Sequence, residues 1–432
     1  MKLFTYCCIV FVTVLNLQAK EVSNVDELIT YALAHAPDLK VSLKQYEAAT
    51  QRKEQSFGYF LPKVDIKLSA GEMGSSDIPI NPDAMKQTNF LLGNISLQQL
   101  VYDFGKTASL YDNLKYQEKA FSMNSLQKIS DKMQEVKSAY YLTLRAMALI
   151  DVAKENLKLN KAQLYRAKRY YAAGIKTKID ISDATVNVIK AKINVKQTQY
   201  KLKSAYENLN KVIGIKRSDK HYTVVPQKLK LDRIYETLTP YKYDLLHSIE
   251  YAYAHRFTIK SAEELLKVSH ANTKRATSEY YPAFYFNADY TKQKENETLK
   301  HTIPQDQWQA SLNLKWNIYQ GGSTVANVQK SIIQEEISQS KLEFLKLKIK
   351  KDVTDAYINL NESKDTVELA QALLQASMEK FTQAQKRYEN GLSDYIELQQ
   401  ARQNYIDAKS GLVIDYYKYY DALANMYHAI GM

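Results

Sequence analysis

The chain has 432 residues and a formal net charge of +12, and its only two cysteines, Cys7 and Cys8, lie in the first apolar run. Once such a run is removed, disulfides, thiolate metal sites and cysteine catalysis are excluded together. The excess of lysine points at face value to an acidic partner, but the basic residues are spread without a cluster interleaved with stacking aromatics, which argues against nucleic acid.

Residues 1–19 carry Lys2, an apolar run from Leu3 to Leu17 and then Ala19, the pattern of a cleaved secretory signal too short to span a bilayer. No cysteine closes that run, so lipid anchoring is not expected. From Val25 to Phe57, apolar Leu28, Tyr31, Ala32, Leu39, Leu43 and Ala48 among charges predict helix. Then the period changes to two. Lys63 to Ala70 alternates polar with apolar, and a less regular run around Asn94, Ile95, Ser96 and Leu97 predicts a second strand beyond the polar stretch Gly71 to Thr88. At Tyr102-Asp103-Phe104-Gly105 the glycine lets the backbone change direction. From there to Ala172 there is neither proline nor glycine, which predicts one continuous helix about 100 Å long. Along it Val136, Ala139, Thr143, Ala146, Ile150, Ala153, Leu157, Asn160, Leu164, Ala167 and Tyr171 keep a strict three-four alternation. That is a heptad seam, and its 3.5-residue period imposes left-handed supercoiling on the order of one turn per coiled-coil pitch. Gly174 marks a tip, after which a returning helix is predicted to about Val212. Residues 215–240, with Val224-Val225-Pro226, read as a linker holding short strands or turns.

The pattern then repeats. Moved forward by 217 residues, the seam reads Val353, Ala356, Leu360, Ser363, Val367, Ala370, Leu374, Ser377, Phe381, Ala384 and Tyr388. Gly105 falls on Gly322, Gly174 on Gly391 and Gly214 on Gly431. Upstream, Leu61-Pro62 falls on Tyr281-Pro282 at a separation of 220. Two further strands follow, Phe284 to Tyr290 and Trp308 to Ile318, separated by the polar stretch Lys292 to Gln305, before Gln320-Gly321-Gly322 turns the chain into the second long helix. The expected organisation is a signal peptide over 1–19, a first repeat over 20–214, a linker over 215–240 and a second repeat over 241–432.

Strands with one apolar and one polar face fit an ordinary half-buried sheet or the wall of a membrane barrel. Trp308 and Trp316, the only tryptophans, are eight residues apart, about 27 Å in extended chain. That matches the roughly 25 Å apolar band between the aromatic girdles of outer-membrane barrels. Four strands cannot close a barrel, since even small ones need about eight, so the chain is expected to contribute strands to an oligomer. Chemistry is sparse: there is no His-Glu-x-x-His, phosphate loop or nucleophile elbow, and the seven histidines are scattered. No enzyme, cofactor or metal is expected.

Signal segment, duplicated helix, strand pair, long helix, glycine tip and returning helix, with Tyr102-Asp103-Phe104-Gly105 and its copy at the strand exits, together resemble the TolC-type outer-membrane efflux protein family. The resemblance covers essentially the whole chain after residue 19. It implies a mainly α fold with a small transmembrane β part: three chains forming a 12-stranded β-barrel in outer-membrane lipid and an α-helical tunnel through the periplasm. The partners implied are a periplasmic adaptor and an inner-membrane pump. Arg387-Tyr388-Glu389-Asn390-Gly391 matches the family's Arg-Tyr-x-x-Gly tip, whereas the first copy has Tyr170 where Arg387 stands. Adaptor docking is implied around Gly174, Ile175, Gly391 and Leu392. Past the glycines, Asp180, Asp183, Asp394 and Glu397 are either a carboxylate ring at the pore or acids stabilising helix N-termini. The function implied is a conduit for small molecules. A protein-secretion duct and a periplasmic scaffold without a pore are the alternatives.

Overall fold

A computed structural model of the chain describes residues 21–22, 24–75, 86–175, 177–215, 223–226, 229–295 and 306–432. The signal segment, the middle of both polar stretches between strands and parts of the linker lie outside the described residues.

The elements run β1 (Glu21–Val22), α1 (Val25–His35), α2 (Pro37–Phe57), β2 (Lys63–Ser75), β3 (Lys86–Tyr102), α3 (Lys106–Ala172) and α4 (Lys178–Ile213). After β4 (Thr223–Val224) and two single 3-10 turns come α5 (Leu245–His255), α6 (Phe257–Thr277), β5 (Ala283–Glu295), β6 (Asp306–Lys315), α7 (Ser323–Glu389) and α8 (Tyr395–Ile430). The two copies match residue for residue in helix length: 11 and 21 in each leading pair, 67 in each long helix and 36 in each return. The helix expected from Val25 to Phe57 is broken at Ala36, whose ψ of 122° is extended. Pro37 explains this, because a residue before proline is driven out of the α region. The second copy breaks at the equivalent Arg256 (ψ 124°) without a proline. There Gly431 abuts the Arg256 backbone, as Gly214 abuts His35 and Ala36 in the first copy.

The chain divides into two compact units. One holds the described residues up to Val41, Leu126–Arg256 and Lys348–Met432, and its interior is the heptad seam and the inner face of α8. Val136, Ala139, Thr143, Ile150, Ala153, Asn160 and Ala167 are buried, as are Val353, Leu360, Ser363, Val367, Leu374, Ser377, Ala384 and Tyr388. The first copy departs from its seam at the last position. Tyr171 is exposed, and it is Tyr170 that packs on Tyr388, ring centroids 6.4 Å apart. The second copy keeps its last seam residue, Tyr388, buried.

The other unit, Ser42–Ser125 with Phe257–Leu347, holds one antiparallel sheet in the order β2-β3-β5-β6. Its register sorts the residues by face. Val64, Leu97, Ala288 and Ala310 form one apolar rung, and Ile66, Ile95, Tyr290 and Trp308 the next. On the opposite face lie Lys63, Gln98, Asn287 and Ser311, then Asp65, Ser96, Asp289 and Gln309, then Lys67, Asn94, Thr291 and Gln307. The strand expected from Trp308 to Ile318 instead stops at Lys315, paired with Ala283. Beyond that pair the partner would be Pro282, which has no N–H to give to a ladder. Trp316 turns away and donates its indole N–H to the Tyr280 carbonyl at 3.1 Å. Strands β2, β3 and β5 reach further into the polar stretches than the alternation indicates, β3 being 17 residues long.

Candidate functional site

Two regions carry the residues picked out by sequence: the sheet and the two helix tips. In the sheet, the apolar face is open. Ile66 is 71% exposed, Leu68 77%, Leu312 67% and Trp308 78%, so none of the described residues covers it. A contiguous patch of this kind marks contact with another protein or with lipid. The edges β2 and β6 have no partner strand among the described residues. Trp308 stands beside Tyr290 at one end of the apolar face, and Phe284, Tyr102 and Trp316 stand at the other. No helix among the described residues is long and apolar enough to cross a membrane.

At the strand exits Gly105, Gly321 and Gly322 all have positive φ, from 60° to 87°. Phe104 does too, at 54°, and it is the counterpart of Gly321. A non-glycine residue there costs roughly 1–2 kcal/mol of strain. Phe104 offsets it by stacking on Tyr281 with centroids 5.1 Å apart and by lying against Tyr102 at 4.8 Å. On the polar side of these turns lies a cleft of about 590 Å³ bordered by Lys63, Asp103, Lys106, Arg275, Glu279 and Lys315.

Both tips end their long helices in the same way. Gly174 N–H donates to Tyr171 O at 3.0 Å and Ile175 N–H to Tyr170 O at 2.9 Å, while Gly391 N–H donates to Tyr388 O at 3.2 Å and Leu392 N–H to Arg387 O at 2.9 Å. This paired closure with glycine left-handed (φ 69° and 72°) is the Schellman motif, which satisfies the last carbonyls. Such motifs often tuck the residue after the glycine against the helix. Here Ile175 and Leu392 are 66% and 69% exposed. One turn into each return helix, Ile179 and Ile396 are equally bare and are again 217 apart. Sequence reasoning passed over this second pair, although its repetition in both copies was there to be read.

The acids form caps. Asp180 Oδ2 accepts from Thr177 N–H at 2.9 Å and Oγ1–H at 2.8 Å, closing a capping box on α4. Asp394 is the N-cap of α8 and accepts from Glu397 N–H at 2.8 Å. Glu397 in turn accepts from Ser393 Oγ at 2.7 Å and faces Arg387 Nε at 3.6 Å. Asp183 is exposed, with no side-chain bond. Arg387 and Glu397 are thus brought together within the second tip, while in the first Tyr170 stands in the place of Arg387 and Arg169 lies over the Tyr165 ring, 5.9 Å from its centroid. Between the long helices Arg166 meets Glu389 at 2.9 Å. Tyr388 and Tyr395 pack with Ala384, Leu398 and Ala401 behind the second tip. Burial, reinforced by the Asp180 charge, pushes the Tyr388 hydroxyl above the usual phenol range. Among the described residues no group of three His, Cys, Asp or Glu could hold a metal ion.

A duplicated pair of long helical hairpins on an open four-stranded sheet defines a class of outer-membrane channel, and comparison with known proteins places the chain in it. The chain belongs to the outer membrane efflux protein family, whose model matches residues 28–215 and again 249–432. Among curated relatives, the probable efflux pump outer membrane protein TtgC of Pseudomonas putida is 23% identical over 296 residues, covering 68% of this chain and 59% of that protein. The match thus spans under two thirds of that relative's length. Outer membrane protein TolC of Vibrio cholerae is 21% identical over 411 residues, covering 94% of this chain and 90% of the relative. In structure, the CmeC outer membrane channel of Campylobacter jejuni superposes with a TM-score of 0.81 at 16% identity, covering 94% of this chain and 85% of that one.

Proposed function

We propose that three copies of this chain close a single twelve-stranded barrel and act as the outer-membrane duct of a tripartite export system for small molecules. The observation that carries this reading is the sheet: an exposed apolar face, an opposite face polar over its Lys63, Asp65 and Lys67 layers, and two edges unpaired among the described residues. Edges of this kind in a membrane must be satisfied by further strands, because lipid supplies no hydrogen bonds. Joining β6 of one copy to β2 of the next does so, with the apolar rungs outward against lipid and the Lys63, Asp65 and Lys67 layers inward around water. Trp308 with Tyr290, and Trp316 with Tyr102 and Phe284, then form the two girdles.

The tips face a periplasmic adaptor, which the exposed pairs Ile175 with Ile179 and Leu392 with Ile396 would engage, and through it an inner-membrane pump. Gly174 and Gly391 hold those residues out by ending the long helices. Asp180, Asp183, Asp394 and Glu397 supply carboxylates at the entrance, with Arg387 as the paired cation. The curated relatives named as efflux proteins favour small molecules over secreted proteins as cargo. The deciding experiment images the protein extracted in detergent from outer membranes and measures drug and solvent susceptibility of the deletion strain. A threefold particle and a hypersensitive strain are expected. A soluble monomer or dimer would overturn the barrel, and loss of a secreted protein with unchanged susceptibility would reassign the cargo.

A further inference from the structure

One buried cation behind the second tip has no counter-charge. Arg402 on α8 is only 6% exposed, yet among the described residues no carboxylate lies within 4.0 Å of its guanidinium. The guanidinium hydrogen-bonds the Tyr395 hydroxyl, a neutral group that also accepts from Asn187 Nδ2 at 2.9 Å. The other buried cation of the same unit, Lys132, is paired with Asp38 at 2.7 Å and Glu135 at 2.6 Å, and the part-buried Lys409 with Glu155 at 2.6 Å.

Arg402 borders a cleft of about 50 Å³ between α3, α7 and α8, whose other walls include Gln163, Arg166, Phe381 and Leu398. Gln163 is 4% exposed, and its Nε2 is buried without a hydrogen bond of normal geometry. Arg166 is already neutralised by Glu389 at 2.9 Å, so the cleft keeps one net positive charge. A guanidinium cannot shed its proton to escape burial. An unpaired buried charge is costly, and a water molecule brings a dipole but no charge. A single water needs about 10–15 Å³ of such space, so the cleft has room for a monatomic ion.

We propose that this cleft is a halide site, in which one chloride accepts from the Arg402 guanidinium and the Gln163 amide and ties α3, α7 and α8 together behind the second tip. The site rests on the packing of these helices and stands apart from the export reading. Two measurements test it on the full-length protein in detergent. Crystals grown in sodium bromide should show an anomalous peak in the cleft within contact of Arg402. Replacing gluconate by chloride at constant ionic strength should raise the unfolding temperature by about 2–4 °C, a gain lost in Arg402→Met. Absence of a bromide peak, or the same chloride gain in Arg402→Met, would overturn the site. Should Arg402→Met fail to accumulate, Gln163→Leu decides on the same two readouts: reduced bromide occupancy supports the site, and unchanged occupancy and chloride gain reject it.

Discussion

Two adjacent residues on β6 give the sharpest test of which face of the sheet meets lipid. Leu312 pairs with Phe286 on the apolar face, and Asn313 pairs with Tyr285 on the polar face, where its amide donates to Ser311 Oγ at 2.9 Å. Leu312 lies four residues from Trp308 and four from Trp316, which puts it about 14 Å from each and so near the middle of the apolar band. An arginine at that depth on a lipid face costs about 2–4 kcal/mol, falling to about 0–1 near the interfaces. Three copies in one barrel multiply the penalty to about 6–12 kcal/mol, several powers of ten in assembly. Asn313→Arg places the same side chain in water and escapes it. The assay is the amount of heat-resistant oligomer in the outer-membrane fraction. Leu312→Arg should abolish it, and Asn313→Arg should leave it intact while altering single-channel conductance. Equal oligomer levels for the two variants would refute the assignment of faces and with it the barrel.

At the tip, Asp394→Asn combined with Glu397→Gln should lower cation selectivity in planar bilayers if these carboxylates line the entrance; unchanged selectivity would leave them as helix caps alone. Gly391 and Gly214 separate docking from folding. An added Cβ at Gly391 meets open space and adds only left-handed strain of about 1–2 kcal/mol, so Gly391→Arg should remove drug resistance at normal oligomer levels. At Gly214 a Cβ would lie 2.9 Å from the His35 carbonyl oxygen, so Gly214→Ala should lower the folded yield itself, as pulse proteolysis would read. Acid stability should depend on Asp131, whose carboxyl burial pushes up but which hydrogen bonds from Gln127, His428 and Lys128 hold below the ordinary value. A depressed carboxyl stabilises the fold above its unfolded pKa and loses that contribution as pH falls through the folded one. The unfolding-temperature gap between wild type and Asp131→Asn should therefore be wide near about pH 6 and shrink toward about pH 3, and a gap that does not change with pH would refute the linkage.

The long-range order of the fold was legible because it rests on periodicity and repetition. The seam, the 217-residue shift and the alternation in β2, β5 and β6 are all patterns that burial imposes directly on residue type. Where the sequence misled, a local rule overrode the pattern. Pro282 ends the β5–β6 ladder before Trp316, and at the end of α3 it is Tyr170, not the seam residue Tyr171, that packs on Tyr388. The break at Arg256 carries no proline and was silent, since it is set by contact with Gly431 far along the chain. Arg402 was the least legible of all. A charged residue next to a seam alanine reads as solvated surface, and only the arrangement of three helices shows it enclosed.

Comparison of the halves separates what builds the shape from what carries the chemistry. Helix lengths, tip closures and glycine caps are the same in both copies, so the backbone architecture is tolerant of side-chain change wherever those glycines and the seam persist. Several charged groups are not duplicated. Arg387, Glu389 and Arg402 in the second copy stand where the first has Tyr170, Ala172 and Thr185, whereas the acid Glu397 stands opposite Asp180 and faces Arg387. A threefold assembly of such chains would present six tips of one shape alternating between two chemistries. The second tip then carries the Arg387–Glu397 pair, while the first has Ile175 and Ile179 bare and Arg169 lying over Tyr165. Duplication supplied the geometry, and divergence of a few side chains at the tips made the two halves of each protomer unequal.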